Sequence, residues 1–147
     1  MKPINRFQKD FRWEGVPRKA YKPAGDHFRD ITRQTLFGPE SGLDAELRYF
    51  EIQPGGHSTL EKHAHAHAVL IIRGRGRVLV GDEIFEISPF DTVRVPPMTW
   101  HQFRPADDAA LGFLCLVNAE RDRPVLPTED DLREINSRRE VADYIRV

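Results

Sequence analysis

The chain has 147 residues, with 22 Lys+Arg against 23 Asp+Glu, six histidines and one cysteine. That length favours one domain with terminal arms. The near-zero net charge gives no long-range pull toward nucleic acid or anionic membrane, which leaves small molecules and protein partners. One cysteine excludes an internal disulfide and fits a reducing, cytoplasmic compartment. No apolar stretch approaches the ~18 residues of a membrane span, and the charged residues 1–15 lack the apolar core of a secretion signal.

Residues 1–44 are punctuated by Pro3, Pro17, Pro23, Gly25, Gly38, Pro39 and Gly42. Short strand-like pieces fall at 19–21 and 31–37, so this segment is expected to be an arm packed on the main body or on a second copy. From residue 45 the pattern becomes short strands broken by turn signals. A strand over 46–52 ends at Pro54, Gly55 and Gly56, and one over 66–73 ends at Gly74. Residues 77–80 and 83–87 flank Gly81-Asp82, a tight hairpin signal. Further strands are predicted at 92–95, 100–104 and 111–117. Many short strands at regular spacing argue for an antiparallel sandwich or barrel over 45–118.

The tail, 119–147, reads as short helices. Thr128 and Asp131 have the spacing of a capping box, which would turn Leu132 and Ile135 toward the barrel, and Ser137 marks a second start. Cys115 sits in the apolar run 111–117 and is expected to be a buried, inert core thiol rather than a nucleophile.

The chemistry concentrates at 61–67, where His63, His65 and His67 alternate behind Glu61. On a continuous strand these four would share one face. Imidazole and carboxylate together suit a divalent transition metal, whether iron, manganese, nickel, copper or zinc. His101, on a later strand, is placed to complete the set. Phe103 shares its face, and Val69 and Ile71 share the parity of His67, so all three are expected to line the pocket. Tyr49, with Arg48 and Glu46, lies on a strand bordering it without an assigned facing. His27, His57 and the arginines 73, 75 and 77 are read as ordinary surface polar groups.

These residues resemble the cupin superfamily. Its first motif is similar to residues 56–74 and its second to residues 90–104, where Phe90 and Met98 stand at usual glycine positions. Counting back from Gly74, the family's glutamate position falls on His67, and its two earlier ligand positions on Glu61 and His63. That register gives a ligand set of Glu61, His63, His67 and His101. The other register pairs His63 with His65, ends at Gly76 and puts Val69 in the acid's place. The resemblance implies a mainly β fold, an antiparallel double-stranded β-helix (jelly-roll) barrel with an N-terminal arm and short C-terminal helices, and implies a homodimer paired through sheet edges.

A site of this kind keeps coordination positions open for substrate or dioxygen. An oxygenase acting on a small organic molecule is therefore the leading expectation. A metal-dependent isomerase or lyase and a non-catalytic binder or sensor are the alternatives. No catalytic residue is assigned, because no general base stands out apart from the ligands themselves.

Overall fold

The computed structural model describes residues 1–147. Eleven strands and two α-helices follow one another. They are β1 (Phe7–Gln8), β2 (Arg12–Trp13), β3 (Lys19–Ala20), β4 (Arg29–Phe37), β5 (Ala45–His57), β6 (His67–Arg73), β7 (Gly76–Val80), β8 (Glu83–Ile87), β9 (Thr92–Val95), β10 (His101–Pro105), β11 (Leu111–Asn118), α1 (Glu129–Ile135) and α2 (Arg139–Tyr144). A six-stranded sheet runs β3-β4-β5-β11-β6-β9, and a three-stranded sheet runs β10-β7-β8, with every pairing antiparallel.

The two sheets bury their alternate residues against each other. Phe50, Ile52, Val69, Ile71, Leu111 and Phe113 from the large sheet pack with Val78, Ile87 and Phe103 from the small one. Period-two alternation produces this directly, since every second side chain points to the same face. The small sheet has a second apolar face. Leu79 packs there with Leu60 and with Val141, Tyr144 and Ile145 of the tail, and Leu132 and Ile135 join them as the capping-box spacing predicts. The box itself is closed: Thr128 accepts from the Asp131 N–H, and Asp131 accepts from the Thr128 N–H.

The sequence signals fail in two places for local reasons. β5 continues through Pro54, Gly55 and Gly56 to His57, because His57 still pairs with Arg29 after a register shift in which residues 53–56 of β5 stand opposite Asp30 alone. The second helix starts after Arg138 rather than at Ser137. The Ser137 hydroxyl already donates to the Glu134 carbonyl at 2.6 Å and so closes α1 instead of capping α2. Segment 1–44 contributes β4 as a full strand of the large sheet. Phe90 and Met98 adopt the left-handed backbone (φ 76° and 52°) that glycine would take without strain. No helix is long and apolar enough to cross a membrane.

Candidate metal centre

His101 opens β10 and His67 opens β6, while His63 lies in the loop between β5 and β6. The three converge, with one nitrogen from each lying within 4.8 Å of the others. His63 and His101 are only 1% and 3% exposed. The ring centroids stand 4.4 Å (His63–His67), 4.8 Å (His63–His101) and 5.3 Å (His67–His101) apart.

Backbone carbonyls fix how two of these rings point. His63 Nδ1 donates to the His65 carbonyl at 2.7 Å, and His101 Nδ1 donates to the Thr99 carbonyl at 2.9 Å. Each ring therefore carries its lone pair on Nε2, the arrangement that orients a metal-binding imidazole. The Nε2 of His63 is buried and has no partner. An unpaired buried acceptor is costly, and a cation is the simplest group to satisfy it. Burial holds all three rings below the ordinary imidazole range. For His101 the value is pushed down to about 4, and for His67 the neighbouring imidazoles and Arg48 lower it further. They are neutral at pH 7, as ligation requires.

The expected continuous histidine strand is not formed. Strand structure begins only at His67, because the backbone N–H groups of Ala64 and His65 are taken by the Asp122 carboxylate at 2.7 and 3.0 Å. Asp122 also accepts from His65 Nδ1 at 2.7 Å, and these donors hold its carboxyl well below the usual carboxylate range. The loop is further held by the Met98 N–H, which donates to the His63 carbonyl at 2.7 Å. His65 stacks flat on His63 at 3.7 Å, with its Nε2 at 3.3 Å from that of His67, so it borders the cluster from outside. Glu61, expected as the fourth ligand, is buried next door, but its carboxylate lies 2.6 Å from Lys22 Nζ and outside the three-nitrogen cluster. Lys22 also donates to Thr59 Oγ1 at 3.1 Å.

Beyond the histidines lies a cavity of about 200 Å³. Its apolar wall is Phe50, Phe103, Phe113 and Tyr21, and its polar wall includes Arg33, Arg48 and Cys115. Phe103 faces it as the strand parity predicts. Val69 and Ile71 also face inward, but they are packed in the core beneath the cavity and do not line it. Tyr49 lies on the opposite side of β5. There it stacks on Phe11 at 5.7 Å and meets Trp13 at 5.3 Å, because Arg48 and Phe50 occupy the inward positions on either side of it. A Cβ on Gly112 would collide with the Tyr49 hydroxyl, so this glycine makes room for the ring.

Cys115 is the buried core thiol that the sequence reading expected. It is buried, yet it forms part of the cavity wall, and Arg48 Nη2 approaches its Sγ at 3.6 Å. Burial pushes the thiol up, and the Arg48 guanidinium opposes that shift. Lys22, Arg33, Tyr21 and Asp122 also belong to the site. They come from segments with no local motif, and only the fold brings them to the histidines. A wider groove of about 560 Å³ runs beneath the N-terminal arm, past Lys2, Glu46 and Arg121, and holds no cluster of metal-binding donors.

The three histidines are thus compatible with one divalent ion that keeps open positions toward the cavity. A family model described as "Cupin domain" matches residues 48–117. A protein of Rhodospirillum rubrum named 1-methylthio-D-xylulose 5-phosphate methylsulfurylase is 52% identical over 145 residues, covering 98% of this chain and 92% of its own. The crystal structure of a cupin 2 conserved barrel domain protein from Rhodopseudomonas palustris superposes with a TM-score of 0.93 at 50% identity, covering 98% of this chain and 99% of the other. That of a cupin-2 domain protein from Rhodospirillum rubrum gives 0.87 at 52% identity, over 97% and 96%.

Proposed function

The chain belongs to the cupin superfamily, and we propose that it is a metal-dependent enzyme that cleaves the carbon–sulfur bond of a 1-methylthio ketose 5-phosphate. The relative's name supplies the substrate class, and its identity of 52% over 98% of this chain supports the transfer. One observation carries the reading: the chain's single thiol, Cys115, lies in the wall of the same cavity as the histidine cluster.

In this reading His63, His67 and His101 hold the metal, which supplies Lewis acidity toward the substrate's oxygens and a positive field that favours the Cys115 thiolate. The thiolate attacks the methylthio sulfur, with Arg48 offsetting its charge. A sulfur–sulfur bond forms at Cys115 and the C1–S bond breaks, its electron pair passing to C1 and the adjoining carbonyl. C1 then takes up a proton, for which Lys22, the cavity's one lysine and the neighbour of Glu61, is the donor. The mixed disulfide left on Cys115 is returned to the thiol by an external low-molecular-weight thiol, which becomes the methyl disulfide. Electrons balance without dioxygen, so this chemistry takes precedence over an oxygenase for the same ligand set. Phe50, Phe103 and Phe113 keep water from the thiolate and the carbanion equivalent.

The test is to incubate metal-loaded protein anaerobically with 1-methylthio-D-xylulose 5-phosphate and a small thiol, following the 1-deoxy ketose phosphate by NMR. Turnover should proceed without oxygen and stop in Cys115→Ser, while one round without thiol should add one methylsulfanyl group to the wild type. No consumption by protein of verified metal content would sink the proposal.

A homodimer is proposed as well. Leu47, Leu70, Leu114 and Leu116 form an apolar patch on the outer face of the large sheet, of the kind that marks association surfaces. A sedimentation mass of one chain at micromolar concentration would exclude it.

A further inference from the structure

The cavity's cations divide into two kinds. Lys22 is matched by Glu61 at 2.6 Å, and Arg121 by Glu46 at 3.1 Å. Arg33 and Arg48 also line the cavity, yet neither has a carboxylate partner. The Nε–H of each is buried with nothing accepting from it, and Arg48 is 8% exposed overall. The one side-chain hydrogen bond Arg48 makes is the long contact to Cys115 Sγ. Its guanidinium is steadied over the Phe50 ring at 5.0 Å.

Strand register explains why the two groups converge. Arg33 on β4 pairs with Phe50 on β5, and Thr35 pairs with Arg48, so Arg33 and Arg48 are diagonal neighbours on the same inward face. Burial together with the charge of Arg48 weakens the hold of Arg33 on its proton. Two guanidiniums at diagonal positions of one inward face, neither in an ion pair, form a poor structural element and a good receptor for a doubly charged anion. Their planar N–H forks match phosphate oxygens.

We propose that Arg33 and Arg48 are the phosphate-binding subsite of this cavity and select a phosphate monoester over the corresponding uncharged sugar. The proposal rests on the preceding reading only for which ester is bound. Position supports it independently. In the sheet order, β5 is two strands and β4 three strands from β6, which carries His67. At ~4.8 Å per strand the offsets are about 10 and 14 Å. Side chains reaching inward from both sides shorten that gap to the length of a small sugar chain. One end of the ligand would then meet the histidines while its phosphate meets the arginines, with Cys115 between them on β11.

The experiment is calorimetric titration of the metal-loaded full chain with D-xylulose 5-phosphate, D-xylulose and inorganic phosphate. The ester and inorganic phosphate should bind, and D-xylulose should bind at least tenfold more weakly than its ester. Arg33→Gln should weaken both phosphate ligands at least tenfold and Arg33→Lys less, with metal content unchanged in both. Binding of inorganic phosphate should persist in His101→Ala, which separates the arginine subsite from direct ligation of phosphate by metal. Equal affinity for the sugar and its phosphate, unaltered binding in a folded Arg33→Gln, or loss of phosphate binding together with the metal would each overturn the subsite. If the ester binds as stated and carbon–sulfur cleavage fails, the subsite stands and the proposed reaction falls. If cleavage proceeds with an unchanged KM in Arg33→Gln, the reverse holds.

Discussion

The two faces of strands β4 and β5 handle polar groups in opposite ways. On the outer face Glu51 accepts from Tyr49 at 2.7 Å, Arg73 at 2.9 Å and Gln53 at 2.9 Å, and Phe11 and Trp13 of the arm cover the Tyr49 ring. The charged groups there, Glu51 and Arg73, answer each other. On the inner face the same two strands present Arg33 and Arg48 without partners, facing a cavity that also holds the orphaned Nε2 of His63. Burial does not separate them, since Tyr49 and Gln34 on the outer face are as buried as Arg48 on the inner one. On the outer face of these two strands Gln34 Oε1 alone is left unpaired, whereas unsatisfied donors and acceptors gathered in one cavity indicate something to be bound.

The sharpest way to break that contrast is to empty the inner face of its ligands. His63→Ala or His101→Ala should each abolish stoichiometric metal binding, read by elemental analysis, while circular dichroism stays that of the wild type. Unchanged metal content in both would remove the metal centre.

A second expectation concerns acid. In the metal-free chain His101 has its pKa depressed from 6.5 to about 4. Between those values the unfolded chain takes up a proton that the folded chain refuses, so stability is intact above pH 6.5 and is lost as pH falls toward 4. For His101 alone the loss is on the order of 3 kcal/mol, and His63 and His67 act in the same direction. Denaturant midpoints of metal-free protein at pH 7.5 and pH 4.5 measure it. Adding metal at the higher pH should raise the midpoint further. A flat profile would mean that the histidines are not buried neutral.

Asp122→Asn keeps the shape of the clamp on the His63 loop but removes its charge. A loss of roughly tenfold in metal affinity is expected, the lower end of what partners behind metal ligands contribute. Competition against a chelator would measure it, and unchanged affinity would reduce Asp122 to a loop anchor. The smallest effect belongs to the outer face. Tyr49→Phe removes one hydrogen bond from Glu51, which keeps Arg73 and Gln53, so a cost of about 1 kcal/mol with no change in kcat or metal content is expected. A change in turnover there would mean that the two faces are coupled through β5.

Most of the barrel was legible from the chain itself, because alternation and turn residues are local signals. Residues 83–87 and 92–95 form the strands predicted, and Thr128 caps the helix predicted. The histidines were legible as a group, since three of them crowd one short segment and the second motif supplies His101. Their geometry was not, because what bends the loop away from a strand is Asp122, more than fifty residues later. The facing of Tyr49 was not legible because 48–50 are all buried, and burial on both faces erases the alternation that assigns a facing. Cys115 was read as core for the same reason that it is core: an apolar neighbourhood does not reveal that a cavity opens beside it. Lys22 and Arg33 carry no local signal of any kind.

The family model spans residues 48–117, and that stretch contains every histidine of the cluster. Asp122, Lys22 and Arg33 all lie outside it. A barrel trimmed to the shared stretch would keep the three histidines, but would give up the carboxylate that shapes the histidine loop and the side of the cavity wall that Lys22 and Arg33 form. In this chain the common portion supplies the three histidines, Cys115 and Arg48, and the flanking segments complete the cavity around them.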